Sequence, residues 1–78
     1  MRVKLESATP GPGPSETVVS IQTAAGHTEE VVVHESLVSG RTLAVSKLGT
    51  DEGLVLIELP RESVVGNWRI WVTAEMIE

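Results

Sequence analysis

LVLIELPRESVVGNWRIWVT, residues 54–73, holds two apolar runs, a proline-started turn between them and both tryptophans of the chain. Leu54, Val55, Leu56 and Ile57 are consecutive and apolar, bounded by Gly53 on one side and, past Glu58 and Leu59, by Pro60 on the other. An apolar run of that length between breakers predicts a strand covered on both faces. Pro60 disfavours helical geometry at Leu59, so no single helix runs through the join. Arg61 to Val65 are expected to form one helical or 3₁₀ turn, ended by Gly66 and Asn67, which tolerate positive φ. The second run alternates, with Trp68, Ile70 and Val72 toward the core and Arg69, Trp71 and Thr73 on the other face.

An arginine on that second face makes it wet and leaves Trp71 with two readings. Either its ring covers a cross-strand neighbour or lies under a loop, or it anchors a partner protein, a role in which tryptophan is enriched. Trp71, Arg69 and Val32 are the candidate partner-binding residues.

Upstream, residues 17–23 and 28–34 pattern as a hairpin, with Val19, Ile21, Val31 and Val33 inward and a turn at residues 24–27 containing Gly26. Val32 then faces outward beside Glu30 and His34, covered by a loop or contributing to an exposed apolar strip. Leu37 and Val38 are expected to plug one end of the core. Residues 41–48 read as the next strand, with Leu43 and Val45 inward. Residues 49–53 read as a tight acidic turn, and Met76 and Ile77 as docking on the core. The predicted core is Val19, Ile21, Val31, Val33, Leu43, Val45, Val55, Ile57, Trp68 and Ile70.

At the start of the chain, Val3 and Leu5 alternate with Arg2, Lys4 and Glu6, as suits an edge strand guarded by charge. Residues 7–16 carry prolines at 10, 12 and 14 interleaved with glycines, and read as an exposed loop. Such a tether, at up to ~3.3 Å per residue, lets residues 2–6 pair within their own chain or exchange into a second copy.

The whole is therefore expected to be one all-β domain spanning residues 1–78. Roughly five or six short strands, with turn signals about every 8–12 residues, point to a small antiparallel barrel or curled meander. A short helical turn before the last strand resembles the architecture of Src-homology-3-like barrels, a likeness of shape that carries no function. A second resemblance lies in GNWRIWV (residues 66–72), similar to the GN-x-VRIGV strand of carbon storage regulators, and in GRTLAV (residues 40–45), similar to their GETLMI segment. Those are small dimeric β proteins that bind RNA. The likeness covers these segments only, and its order departs from the family, where the counterpart of LPRESV (residues 59–64) follows the GN strand.

Composition bounds the function. The chain has 78 residues, no cysteine, no phenylalanine and no tyrosine. A domain of this size buries roughly 60% of its unfolded surface, and a stability on the order of 5 kcal/mol is expected. Without cysteine there is no disulfide, thiolate metal site or thiol nucleophile. The first residues lack the apolar core of a secretory signal, and no apolar stretch reaches membrane-spanning length; a cytoplasmic setting is the expectation.

Six lysines and arginines stand against eleven aspartates and glutamates, a net charge of −5. Phosphate backbones are bound by clustered cations that displace counterions, so neither nucleic acid nor an anionic membrane is an expected partner. Titrated into labelled duplex DNA or single-stranded RNA at near-physiological salt, the protein should give no anisotropy change. Micromolar binding that weakens steeply with salt would overturn that expectation and revive the RNA-binding comparison.

No catalytic, cofactor or metal residues are assigned. His27 lies in a turn and His34 at a strand end, and Ser36, Ser39, Ser46 and Ser63 lack a nucleophile-elbow context. Asp51 and Glu52 form a turn tip without the alternating acidic pattern of a calcium loop. Glycine-rich phosphate loops are absent. The expected function is a non-catalytic binding or assembly module. Its rivals are an accessory domain or subunit that completes an enzyme site only on assembly and a purely structural homo-oligomer; a protein partner or self-association, as a homodimer through strand edges, is expected.

Overall fold

A computed structural model describes residues 1–78. The strand that begins the quoted stretch, Leu54–Glu58, sits in the middle of a three-stranded antiparallel sheet. Its neighbours are Ser46–Asp51 and Arg69–Thr73. In chain order the strands are β1 (Arg2–Lys4), β2 (Ser7–Pro10), β3 (Glu16–Gln22), β4 (Thr28–His34), β5 (Val38–Ser39), β6 (Thr42–Ala44), β7 (Ser46–Asp51), β8 (Leu54–Glu58) and β9 (Arg69–Thr73). They form three antiparallel sheets, β1-β6-β5, β2-β3-β4 and β7-β8-β9, rather than one closed barrel. Helix is confined to 3₁₀ turns at Glu35–Leu37 and Ala74–Met76.

The all-β expectation is borne out, with more and shorter strands than the pattern predicts. The expected strand over residues 41–48 is divided. β6 pairs with β1 and β5, while β7 pairs with β8. Between them Val45 donates its N–H to the Met1 carbonyl at 3.0 Å and is only half-buried. The chain changes sheet there, which an unbroken alternation does not reveal.

β8 corrects a second expectation. Val55 and Ile57 are buried, but Leu54, Leu56 and Glu58 are only half-buried, so a single face is covered. Opposite Leu56 stand Gly49 on β7 and Trp71 on β9, and a glycine offers no side chain to shield it. The β7–β8 turn is tighter than residues 49–53, since Asp51 already pairs with Leu54. Glu52 (φ 46°) and Gly53 (φ 82°) both adopt positive φ, the geometry of a two-residue hairpin whose twist matches its strands.

The β3–β4 hairpin follows its pattern. Val19, Ile21, Val31 and Val33 are buried, and Gly26 takes φ 85° in the turn. Leu37, Val38, Met76 and Ile77 pack against the core, and Ile77 bridges Val3.

Residues 7–16 are exposed or half-exposed as expected but are not simply a loop. Ser7–Pro10 pairs with β3 in regular register. Gly11 donates its N–H to the Glu16 carbonyl at 2.8 Å, so the alternation of the ladder turns the Pro10 nitrogen away from β3 and no bond is lost. Glu16 closes the turn by accepting from the Gly13 N–H at 3.1 Å. A side chain at Gly11 would meet the Glu16 backbone at 2.9 Å, so the turn requires glycine there. β1 pairs with β6 of its own chain.

The expected helical turn at residues 61–65 is absent. Ser63 donates its N–H to the Asn67 carbonyl at 2.8 Å, and Gly66 donates to the Ser63 carbonyl at 2.9 Å. These bonds close a loop in place of a helical ladder, with Gly66 at φ 93°. Trp68, expected in the core, is 51% exposed. Leu59 donates to its carbonyl at 2.8 Å, so its register is as read, but it precedes the first residue of β9 and borders an open groove.

Candidate functional site

Along the outer face of β8 and β9 the register pairs Leu54 with Thr73, Leu56 with Trp71, and Glu58 with Arg69. Trp71 thus stands directly across from Leu56 and remains 39% exposed. Its backbone is held on both sides, paired with Leu56 on β8 and accepting at its carbonyl from the Ala24 N–H of the β3–β4 turn, at 2.8 Å. Arg69 donates through Nε to Glu58 Oε2 at 3.2 Å, with both side chains well exposed, so this ion pair orders the rim more than it stabilises the fold. The result is a fixed strip of Leu54, Leu56 and Trp71 bordered by one charge pair.

Of the three candidate residues, Arg69 and Trp71 are brought together on this face. Val32 is not. It sits on β4 opposite Val18, half-buried, in a different sheet.

Two features escaped the sequence reading. The first is Glu29, buried on the same face of β4 as Val31 and Val33. Its Oε1 accepts from Ser63 Oγ at 2.6 Å and from Asn67 Nδ2 at 2.8 Å. Asn67 also donates its N–H to Ser63 Oγ at 3.0 Å, and Val64 donates its N–H to the Glu30 carbonyl at 2.8 Å. Strand parity within the hairpin already places Glu29 inward; its partners belong to a distant loop.

The second feature is the exposed apolar content of that loop, with Val64 at 66% and Val65 at 76% exposure, followed by Trp68. Trp68 borders an open groove of about 370 Å³, formed with residues 44–46 from the β6–β7 junction and residues 58–60 from the end of β8.

The residues weighed for chemistry serve structure. His34 Nδ1 accepts from the Ser36 N–H at 3.1 Å and lies 2.8 Å from Ser36 Oγ, capping the first 3₁₀ turn. His27 is exposed in its turn. Ser63 is engaged by Glu29, and Asp51 and Glu52 stand exposed at a hairpin tip. No three histidine, aspartate or glutamate side chains converge as a metal site would require. No helix is long and apolar enough to cross a membrane.

Comparison with known protein families, curated proteins and solved structures finds no match for this chain. The two segments that resemble carbon storage regulators fall in different sheets, one contributing β6 and the other β9.

Proposed function

We propose that this protein is a non-catalytic protein-interaction module that binds through the outer face of β8 and β9. The observation that carries the reading is Trp71, held by bonds on both edges of its strand yet left 39% exposed beside half-buried Leu54 and Leu56. An aromatic ring on a rigid strand costs little further entropy on binding, and tryptophans in such positions carry much of the energy of interfaces. Arg69 lies beside it to supply direction. The cytoplasm is the proposed setting.

The connections between the sheets favour a barrel-like, Src-homology-3-like arrangement as the finer description. β1 runs into β2 and β6 into β7 across sheet boundaries, and the β3–β4 turn reaches β9 through Ala24.

A homodimer through strand edges is the rival reading, and the edges argue for the face instead. β2 ends in Pro10, β7 carries a bulge between Lys47 and Gly49, β4 gives its Glu30 carbonyl to Val64, and β9 gives its Trp71 carbonyl to Ala24. Proline, bulges and covered positions all discourage strand addition.

Affinity capture from the source cell, with the intact protein and Trp71→Ala compared by mass spectrometry, tests the proposal. Partners retained by the intact protein should be lost, as expected when a hot spot worth about 2 kcal/mol, or ~30-fold in affinity, is removed. An identical set of partners on both would overturn the reading. Sedimentation at tens of micromolar decides the rival: a homodimer there, dispersed by deleting residues 1–8, would replace the proposed function.

A further inference from the structure

Gly49 has no task inside the protomer. It lies within β7 without the positive φ found at Gly26, Gly40, Gly53 and Gly66, and a Cβ built on it would meet nothing within 4 Å. The bulge between Lys47 and Gly49 does not call for glycine either, because the bulge type that needs one holds it at positive φ. Glycine weakens a strand, and inside one it often marks the place where a ligand or a second backbone comes close.

The register sets this hollow across from a ridge. Three rows cross the outer face of the sheet, namely Ser46, Glu58 and Arg69, then Gly49, Leu56 and Trp71, then Asp51, Leu54 and Thr73. In the middle row the gap at Gly49 and the exposed ring of Trp71 lie one strand to either side of Leu56. Sheets stacked face to face sit about 10 Å apart with their strands nearly aligned, so a large ring on one needs a small residue on the other. A knob and a hole on opposite sides of one line fit a copy of the same face turned about that line.

We propose that the outer face of β7, β8 and β9 packs against the same face of a second copy, about a two-fold axis that runs along β8 above Leu56. Each Trp71 then enters the hollow at Gly49 of the other copy. The end rows match as well. Thr73 comes over Asp51 of the other copy, hydroxyl to carboxylate. Arg69 comes over Ser46, so the Glu58 and Arg69 groups of the two copies alternate in sign. Within each copy that pair is already closed at 3.2 Å, so the strip needs no counter-charge from a partner. The net charge of −5 opposes association, but the repulsion is screened beyond about 8 Å at physiological ionic strength. Exposed Lys4 and Lys47, outside both ion pairs, keep the surface from having one sign. The face is small beside a standard interface, so the dimer is weak. This rests on the reading of the outer face as the binding site and names its partner.

Sedimentation of the full chain from tens to hundreds of micromolar tests it. The intact protein should pass from monomer to dimer over that range. Trp71→Ala should weaken the dimer about 100-fold, because the contact occurs twice. Gly49→Val is the sharper variant. It fills the hollow and should weaken the dimer about tenfold, while a dilute sample keeps its β circular dichroism and a thermal midpoint no lower than that of the intact protein. Val65→Ser, at an exposed position in the loop before β9, should leave the dimer unchanged. In an equal mixture of isotope-labelled and unlabelled protein, the Trp71 ring protons should show contacts to Gly49 of the other copy.

A monomer throughout, a dimer indifferent to Gly49→Val, or contacts between copies that leave out Trp71 would each overturn the proposal. If the chain stays monomeric yet Trp71→Ala still loses captured proteins, the interaction module stands with a different partner. If capture is indifferent to Trp71→Ala as well, the module reading falls too.

Discussion

Ile57→Ala is expected to lower stability by about 2–5 kcal/mol, the range for removing a fully buried branched side chain. Ile57 has no exposed surface, stands in the middle strand of its sheet and is among the largest fully buried side chains. Its cross-strand partners are Lys47 on β7 and Ile70 on β9. A core of twelve buried side chains, all valine, leucine or isoleucine, holds no large aromatic ring that would shift into the space. The loss therefore combines transfer energy with an unfilled cavity. In a domain stabilised by on the order of 5 kcal/mol this removes much of the total. The urea midpoint should fall by about 2 M or more, given the shallow slopes of small domains. An unchanged midpoint would show that β8 does not organise the core.

The second large effect is expected at Glu29. Replacing it with alanine removes the acceptor for Ser63 Oγ and Asn67 Nδ2 together. Ser63 is buried, so its hydroxyl would be left without water to turn to. Two effects compete. Alanine relieves the cost of holding a carboxylate away from solvent, but it strands the buried Ser63 hydroxyl, while exposed Asn67 can turn to water, and a stranded donor costs about 1–3 kcal/mol. The second effect wins because no side-chain polar atom is both buried and unpartnered while Glu29 is in place. Glu29→Gln keeps an acceptor oxygen and should retain most of the stability, which separates geometry from charge. The diagnostic reading is local. Hydrogen exchange at the Val64 amide, bonded to Glu30, should speed up in Glu29→Ala and change little in Glu29→Gln. Wild-type protection in the alanine variant would show that the loop holds itself.

Much of the architecture was legible because it is written at short range. The hairpin of β3 and β4 follows from alternating valines around a glycine turn. The burial of Ile70 and Val72 follows from period-two patterning. Illegible were the features that depend on what lies across space. Leu56 reads like Ile57 in the chain, but it faces Gly49 and Trp71 instead of the core. The proline segment reads as loop because proline breaks ladders; only the register with β3 shows that Pro10 points its nitrogen where no bond was due. For the candidate site, Arg69 and Trp71 share a face by alternation alone. Val32 belonged with them only as long as its sheet was unknown.

Taken by itself, the amino-acid order determined the all-β class, the inward sets of most strands, the wet face of Trp71 and the acidic balance that disfavours phosphate ligands. These depend on side-chain period and composition, which neighbours in the chain settle. Tertiary structure alone decided where the chain leaves one sheet for another at Val45, that the loop before β9 is closed by Glu29 instead of helical bonds, and that Trp68 borders a groove. Each of those turns on a contact between residues far apart in sequence, as with Val45 and Met1 or, 38 positions apart, Asn67 and Glu29. A hydrogen bond or a cavity exists only once folding has brought both of its sides together.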